Sequence, residues 1–118
     1  MKKIIIAISL LLCLGMLTGC SQGNQGNSTA LRVGMECDYA PFNWTVTEQG
    51  EYTQPINSVD YADGYDVVIA SMIAESLGRE VQIVKLDWDS LILSLQNDEI
   101  DLVIAGMTDT PARREEVN

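Results

Sequence analysis

Histidine is absent from this 118-residue chain, and basic residues are few, with 7 Lys and Arg against 17 Asp and Glu. The resulting formal charge of -10 argues against nucleic acid or anionic lipid headgroups as the main partner. Most of the carboxylates read as a solvated surface. Without histidine, none of the three cysteines has the usual side chain that would activate it as a nucleophile. No cysteine cluster and no phosphate-cradling glycine loop is present. Asp60, Asp63 and Asp66 are grouped, but their spacing is not that of a calcium-binding loop, and no glutamate follows at the required distance. No metal or cofactor is expected. At 118 residues with 47% apolar content the chain fills one small domain, not two.

What is present begins at the N-terminus. Lys2 and Lys3 precede Ile4 to Leu17, a run of 14 mainly apolar residues, the layout of a secretory signal peptide over residues 1–19. As a helix the run would span about 21 Å, short of the roughly 30 Å hydrocarbon core of a bilayer. Leu17-Thr18-Gly19-Cys20 resembles the bacterial lipobox, which implies an acylated Cys20 and anchoring to the outer face of the cytoplasmic membrane. Loss of the leader takes the charge to -12, because Lys2 and Lys3 leave with it. It also leaves Cys37 without a disulfide partner. Residues 20–30 are polar and Gly-rich and read as a flexible tether.

From Leu31 onward the periodicity changes repeatedly. Leu31, Val33 and Met35 alternate as a strand, and Phe42 to Thr53 is expected to form a small hairpin. Ile69, Met72, Ile73 and Leu77 mark a helix face, with Asp66 as its N-cap and Gly78 as its stop. Val81 and Ile83 suggest a second strand; Trp88, Leu91, Ile92 and Leu95 mark a second helix capped by Asp87. Leu102 to Ala105 reads as a strand buried on both faces, and Thr110-Pro111 as a helix start. This alternation predicts an α/β domain with a mostly parallel sheet flanked by helices. Ligands of such sheets bind beyond the carboxyl ends of the strands, which selects Glu36 to Phe42, Gly106 to Arg113 and the helix start near Gly64. The third helix stops two turns in, so the domain is expected to be incomplete.

Asp38-Tyr39-Ala40-Pro41-Phe42, Gly64-Tyr65-Asp66-Val67 and the run from Asp101 to Arg113 resemble the motifs of the family 3 extracellular solute-binding proteins. The resemblance runs from Leu31 to the last residue and implies the first lobe of a two-lobed, periplasmic-binding-protein-like fold. It further implies a binding protein, not an enzyme, that captures an amino acid and docks on the permease of an ATP-binding cassette importer. Val68 departs from the family pattern, which usually has an acid there, and is expected to be exposed.

An amino acid is a zwitterion, so its site needs a planar cation for the carboxylate. Arg113 suits this, since a guanidinium donates two parallel hydrogen bonds, and it lies in the first turn of a helix whose free N–H groups favour an anion. The resemblance gives Arg113 the same role. It adds Thr108 through its hydroxyl, Gly106 through its carbonyl, and Tyr39 and Tyr65 as rings flanking the ligand side chain. Glu36 falls where some members carry an acid facing that side chain, which would select a cation or an amide. Phe42, Trp44 and Trp88 read as packing, and Arg114 as solvent-facing. Two rival readings stand beside this one: an exported enzyme of the cell-wall lyase type, with a catalytic carboxylate in an appended domain, and an inactive truncated gene product. A single open lobe is expected to hold an amino acid poorly, because solvated charge pairs contribute only about 0 to 1 kcal/mol each.

Overall fold

The computed structural model describes residues 30–117. The expected signal peptide, Cys20 and nearly all of the tether lie outside the described residues. Three strands form a parallel sheet: β1 (Leu31–Met35) lies between β6 (Val81–Lys85) and β7 (Leu102–Val103). Register pairs Val33 with Ile83 on one side and with Leu102 on the other. The central strand is buried because both of its edges are paired and both of its faces covered. Val33, Met35, Leu91 and Ile100 are at most 2% exposed, and each such burial contributes about 1.5 to 3 kcal/mol. The predicted α/β class therefore holds.

A second sheet was not expected. β2 (Asp38–Tyr39), β3 (Asn43–Val46), β5 (Tyr61–Asp63) and β4 (Gln54–Pro55) pair antiparallel in the order β2-β3-β5-β4. The Phe42 to Thr53 hairpin is replaced by this arrangement: β3 pairs with β5, Trp44 opposite Asp63, and residues 47–60, β4 among them, form the connection. Pairing across so many intervening residues leaves no turn signature in the sequence.

Helix α1 (Tyr65–Ser76) ends as predicted, at Gly78. Gly78 adopts φ +65° and its N–H bonds to Glu75 O, while Arg79 N–H reaches back to Ala74 O, closing the last turn. Its buried face differs from the expected one. Val67, Ala70 and Ala74 face the core, whereas Ile69, Met72 and Leu77 are 47%, 63% and 57% exposed. The small residues let the helix approach the sheets closely, and Ile73 packs at the margin. Val68, expected to be exposed, is half-buried.

A 3-10 turn (Trp88–Ser90) leads into α2 (Leu91–Gln96), and α3 (Pro111–Glu116) follows β7. Asp87 precedes the turn but makes no side-chain cap. Thr110 does cap α3, its hydroxyl accepting from Arg113 N–H at 3.3 Å. β7 is half-exposed, not buried on both faces, because it forms the edge of its sheet. No helix among the described residues is long and apolar enough to cross a membrane.

At the amino ends of the strands Asp101 ties the sheet together. It accepts from Arg32 Nη2 at 2.7 Å, Arg32 Nε at 3.2 Å and the Arg32 backbone N–H at 2.8 Å, with Arg79 Nη2 at 3.5 Å. The Arg32 hydrogen bond outweighs desolvation and holds the Asp101 carboxyl below the usual carboxylate range. This fastening therefore stays charged above the ordinary aspartate range, and its contribution fades only as the pH falls through the lowered value.

Candidate functional site

Because the three strands are parallel, their carboxyl ends open on one edge. Leu86 N–H bonds to Met35 O and Ile104 N–H to Gly34 O, so the segments after β1, β6 and β7 lie side by side. The start of α1 joins them: Tyr65 N–H donates to Pro41 O and Asp66 N–H to Phe42 O. Gly64 makes this approach possible. Its φ is +123°, and a Cβ there would lie 2.3 Å from Phe42 O. Gly64 is accordingly the residue that precedes the helix, and Asp66 is not its N-cap.

Asp66 is instead buried and paired. Its Oδ2 accepts from Asn43 Nδ2 at 2.7 Å, and Asn43 Oδ1 accepts from Cys37 N–H at 2.8 Å. Asn43 is fully buried, so these two bonds clamp the loop after β1 to the first turn of α1. The clamp holds Cys37 in a left-handed conformation, φ +56°, assisted by Thr45 Oγ1 donating to Cys37 O at 2.9 Å. Burial pushes the Cys37 thiol up to about 11, with nearby Lys85 opposing. It is an inert packing group, as a lone cysteine near a strand end should be. The other two aspartates of the sequence cluster are separately engaged: Asp60 accepts from Asn57 Nδ2, and Asp63 from Gly64 N–H.

The predicted site residues fall into two contact groups. In the first, Tyr39 and Phe42 meet with ring centroids 4.9 Å apart, and Gly106, at φ +59°, lies so close that a Cβ would sit 2.9 Å from the Tyr39 ring. Phe42, read from sequence as packing, is therefore part of the same aromatic wall. In the second, Arg113 Nη1 donates to Thr108 O at 2.6 Å, and the guanidinium lies over the Trp88 indole, 5.3 Å from its centroid. Glu36, half-buried directly after β1, and Tyr65, 65% exposed at the start of α1, reach the same edge by chain position. No hydrogen bond, ion pair or ring contact joins either of them to Arg113 among the described residues.

Charge pairing sets Arg113 apart. Arg32 and Arg79 engage Asp101, and Arg114 pairs with Asp109, as a solvent-facing arginine can. Among the described residues Arg113 is the arginine without a carboxylate partner. Sequence reasoning missed Trp88 because an apolar residue at helical spacing reads as core. The strand-end rule would have found it, since it follows the carboxyl end of β6. An open groove of about 950 Å³ runs along β7 between α2 and α3, lined by Ile92, Leu95, Leu102 and Val103. It includes Thr108 and Arg113 but not Glu36, Tyr39, Tyr65 or Gly106.

A guanidinium without a carboxylate partner among the described residues, an acid, a threonine hydroxyl and aromatic rings beyond the strand ends are the kinds of group that complement a zwitterion. The chain is 33% identical over 121 residues to the arginine-binding extracellular protein ArtP of Bacillus subtilis, covering 100% of this chain and 43% of that protein. It is 31% identical over 108 residues to a cyclohexadienyl dehydratase of Pseudomonas aeruginosa, covering 86% of this chain and 36% of that enzyme. The crystal structure of the arginine-bound form of domain 1 from TmArgBP superposes with a TM-score of 0.60 at 34% identity, covering 74% of this chain and 60% of that one. The chain thus spans less than half the length of these two curated relatives. Residues 31–118 match the family model of the bacterial extracellular solute-binding proteins, family 3, and the chain belongs to that family.

Proposed function

We propose that residues 31–118 are the N-terminal lobe of an exported receptor that captures an amino acid with a cationic side chain for an ATP-binding cassette importer. The observation that carries this is the Arg113 guanidinium, held beside Thr108 and Trp88 with no carboxylate partner among the described residues. It takes the ligand carboxylate, the Thr108 hydroxyl and Gly106 carbonyl contact the ligand backbone, and Tyr39 and Tyr65 flank its side chain. Glu36 supplies the counter-charge for a guanidinium or ammonium at the far end of that side chain. The names of ArtP and of domain 1 from TmArgBP, both tied to arginine, support the cationic choice. That domain 1 of TmArgBP exists in an arginine-bound form bears on the expectation that one open lobe holds an amino acid poorly, and supports titrating the single lobe directly.

Calorimetric titration of the purified chain is the test. L-arginine and L-lysine should bind at least about tenfold more tightly than L-glutamate, a difference of about 1.4 kcal/mol. Equal affinities, or a preference for glutamate, would remove the cationic assignment. A second reading, an exported enzyme on the same lobe, is favoured by the likeness to the dehydratase; ligand recovered unchanged after prolonged incubation separates the two.

The leader and lipobox complete the proposal: residues 1–19 are removed, Cys20 is acylated, and residues 20–30 tether the lobe to the membrane, where two acyl chains anchor stably. A radiolabelled fatty acid fed to expressing bacteria should mark the wild type and leave Cys20→Ser unlabelled. Equal labelling of both would end the lipoprotein claim.

A further inference from the structure

We propose that Trp88 is a positioning residue of the site, holding the Arg113 guanidinium in the orientation that turns its free N–H edge toward the ligand carboxylate. The inference rests on the reading of Arg113 given above. Trp88 begins the short 3-10 turn after β6, and its side chain is half-buried against the hydrophobic core. Its indole is therefore anchored on one side. On the other it meets Arg113 at 5.3 Å from ring centroid to guanidinium carbon, within the roughly 6 Å over which a ring attracts a cation. A second restraint comes from the loop before α3, where Thr108 O accepts one Nη1–H at 2.6 Å.

A guanidinium has five N–H donors in a rigid fork. The indole holds the guanidinium from one side and Thr108 O takes one Nη1–H, leaving the other donors outside these two restraints. No carboxylate among the described residues competes for them. Remove the indole, and a half-exposed arginine with many rotamers is held by one hydrogen bond to its own loop. Ordering it then falls to the ligand, and affinity drops although nothing that touches the ligand has changed.

The test combines two readouts on the purified chain. The Arg113 Nε–Hε resonance, assigned by its disappearance in Arg113→Ala, should be displaced upfield by the indole in the wild type and move to the position of an exposed arginine in Trp88→Leu. Because this is read without ligand, it checks the stacking separately from the function. In calorimetry, Trp88→Leu should weaken L-arginine roughly tenfold, and Trp88→Phe, which keeps an aromatic face, should stay within about threefold of the wild type. Trp88→Leu should cause no further loss on an Arg113→Ala background. An unshifted wild-type resonance, unchanged affinity in Trp88→Leu, or losses that add on that background would each overturn the positioning role. A stacked resonance in a wild type that binds no amino acid would overturn the functional reading, and with it this role. Should Trp88→Leu fail to fold, the wild-type resonance and Trp88→Phe still decide the matter.

Discussion

Asn43→Ala is expected to destabilise the domain by about 2 to 5 kcal/mol, the largest effect on folding that the structure implies. Asn43 is fully buried and serves two partners at once, the Cys37 N–H at 2.8 Å and the Asp66 carboxylate at 2.7 Å. Truncation leaves a buried amide and a buried carboxylate unpaired, at about 1 to 3 kcal/mol for a neutral group and more for a charged one. A domain of this size has only about 5 to 15 kcal/mol in total. At about 4 to 8 °C per kcal/mol, the melting midpoint should fall by roughly 8 to 40 °C in a thermal scan. Loosening the clamp should also expose the Cys37 thiol, which burial holds up at about 11, to a thiol reagent in the otherwise folded protein. The double variant Asn43→Ala/Asp66→Ala should be less destabilised than the sum of its single changes, because the orphaned charge is gone. A midpoint shift below about 3 °C would contradict the clamp.

The sequence carried the parallel sheet, the stop of α1 and the start of α3 because those signals are local. Leu31, Val33 and Met35 alternate within five residues, Gly78 closes α1 with its own turn, and the Thr110 hydroxyl caps a helix whose first residue is Pro111. The antiparallel sheet was illegible because its strands are two to four residues long and β3 and β5 meet across an intervening loop. The buried face of α1 was misread for a different reason. Apolar residues lie on both sides of that helix, so periodicity alone could not choose between Ile69 and Met72 on one side and Val67, Ala70 and Ala74 on the other. Close packing chose the small residues. Asp66 shows the same ambiguity: an aspartate before an apolar run reads as a cap, but only the backbone approach at Gly64 turns it into the partner of Asn43.

The edge that carries the candidate site was legible in outline, since parallel strands place their carboxyl ends together and the segments after β1 and β7 follow from the strand periodicity. The contacts that divide it into a Tyr39, Phe42 and Gly106 wall and a Trp88, Thr108 and Arg113 corner depend on side-chain packing, which no spacing encodes.

Arg113→Ala is expected to have the largest effect on binding. In a two-lobed form that closes over the ligand, the buried carboxylate would be left without its partner, and affinity for L-arginine should fall by about 2 to 5 kcal/mol, roughly 30-fold to several thousandfold. Arg113→Lys should bind weakly as well, because an ammonium cannot reproduce the two-pronged fork. Folding should survive both changes, since the side chain lies on a surface helix and is only half-buried. The most direct measurement of the account is a four-way calorimetric cycle, with L-arginine and L-argininamide titrated into the wild type and into Arg113→Ala. If Arg113 grips the carboxylate, the amide binds the wild type weakly and loses little more in the variant. If the two losses simply add, Arg113 does not hold the carboxylate and the site as described here is wrong.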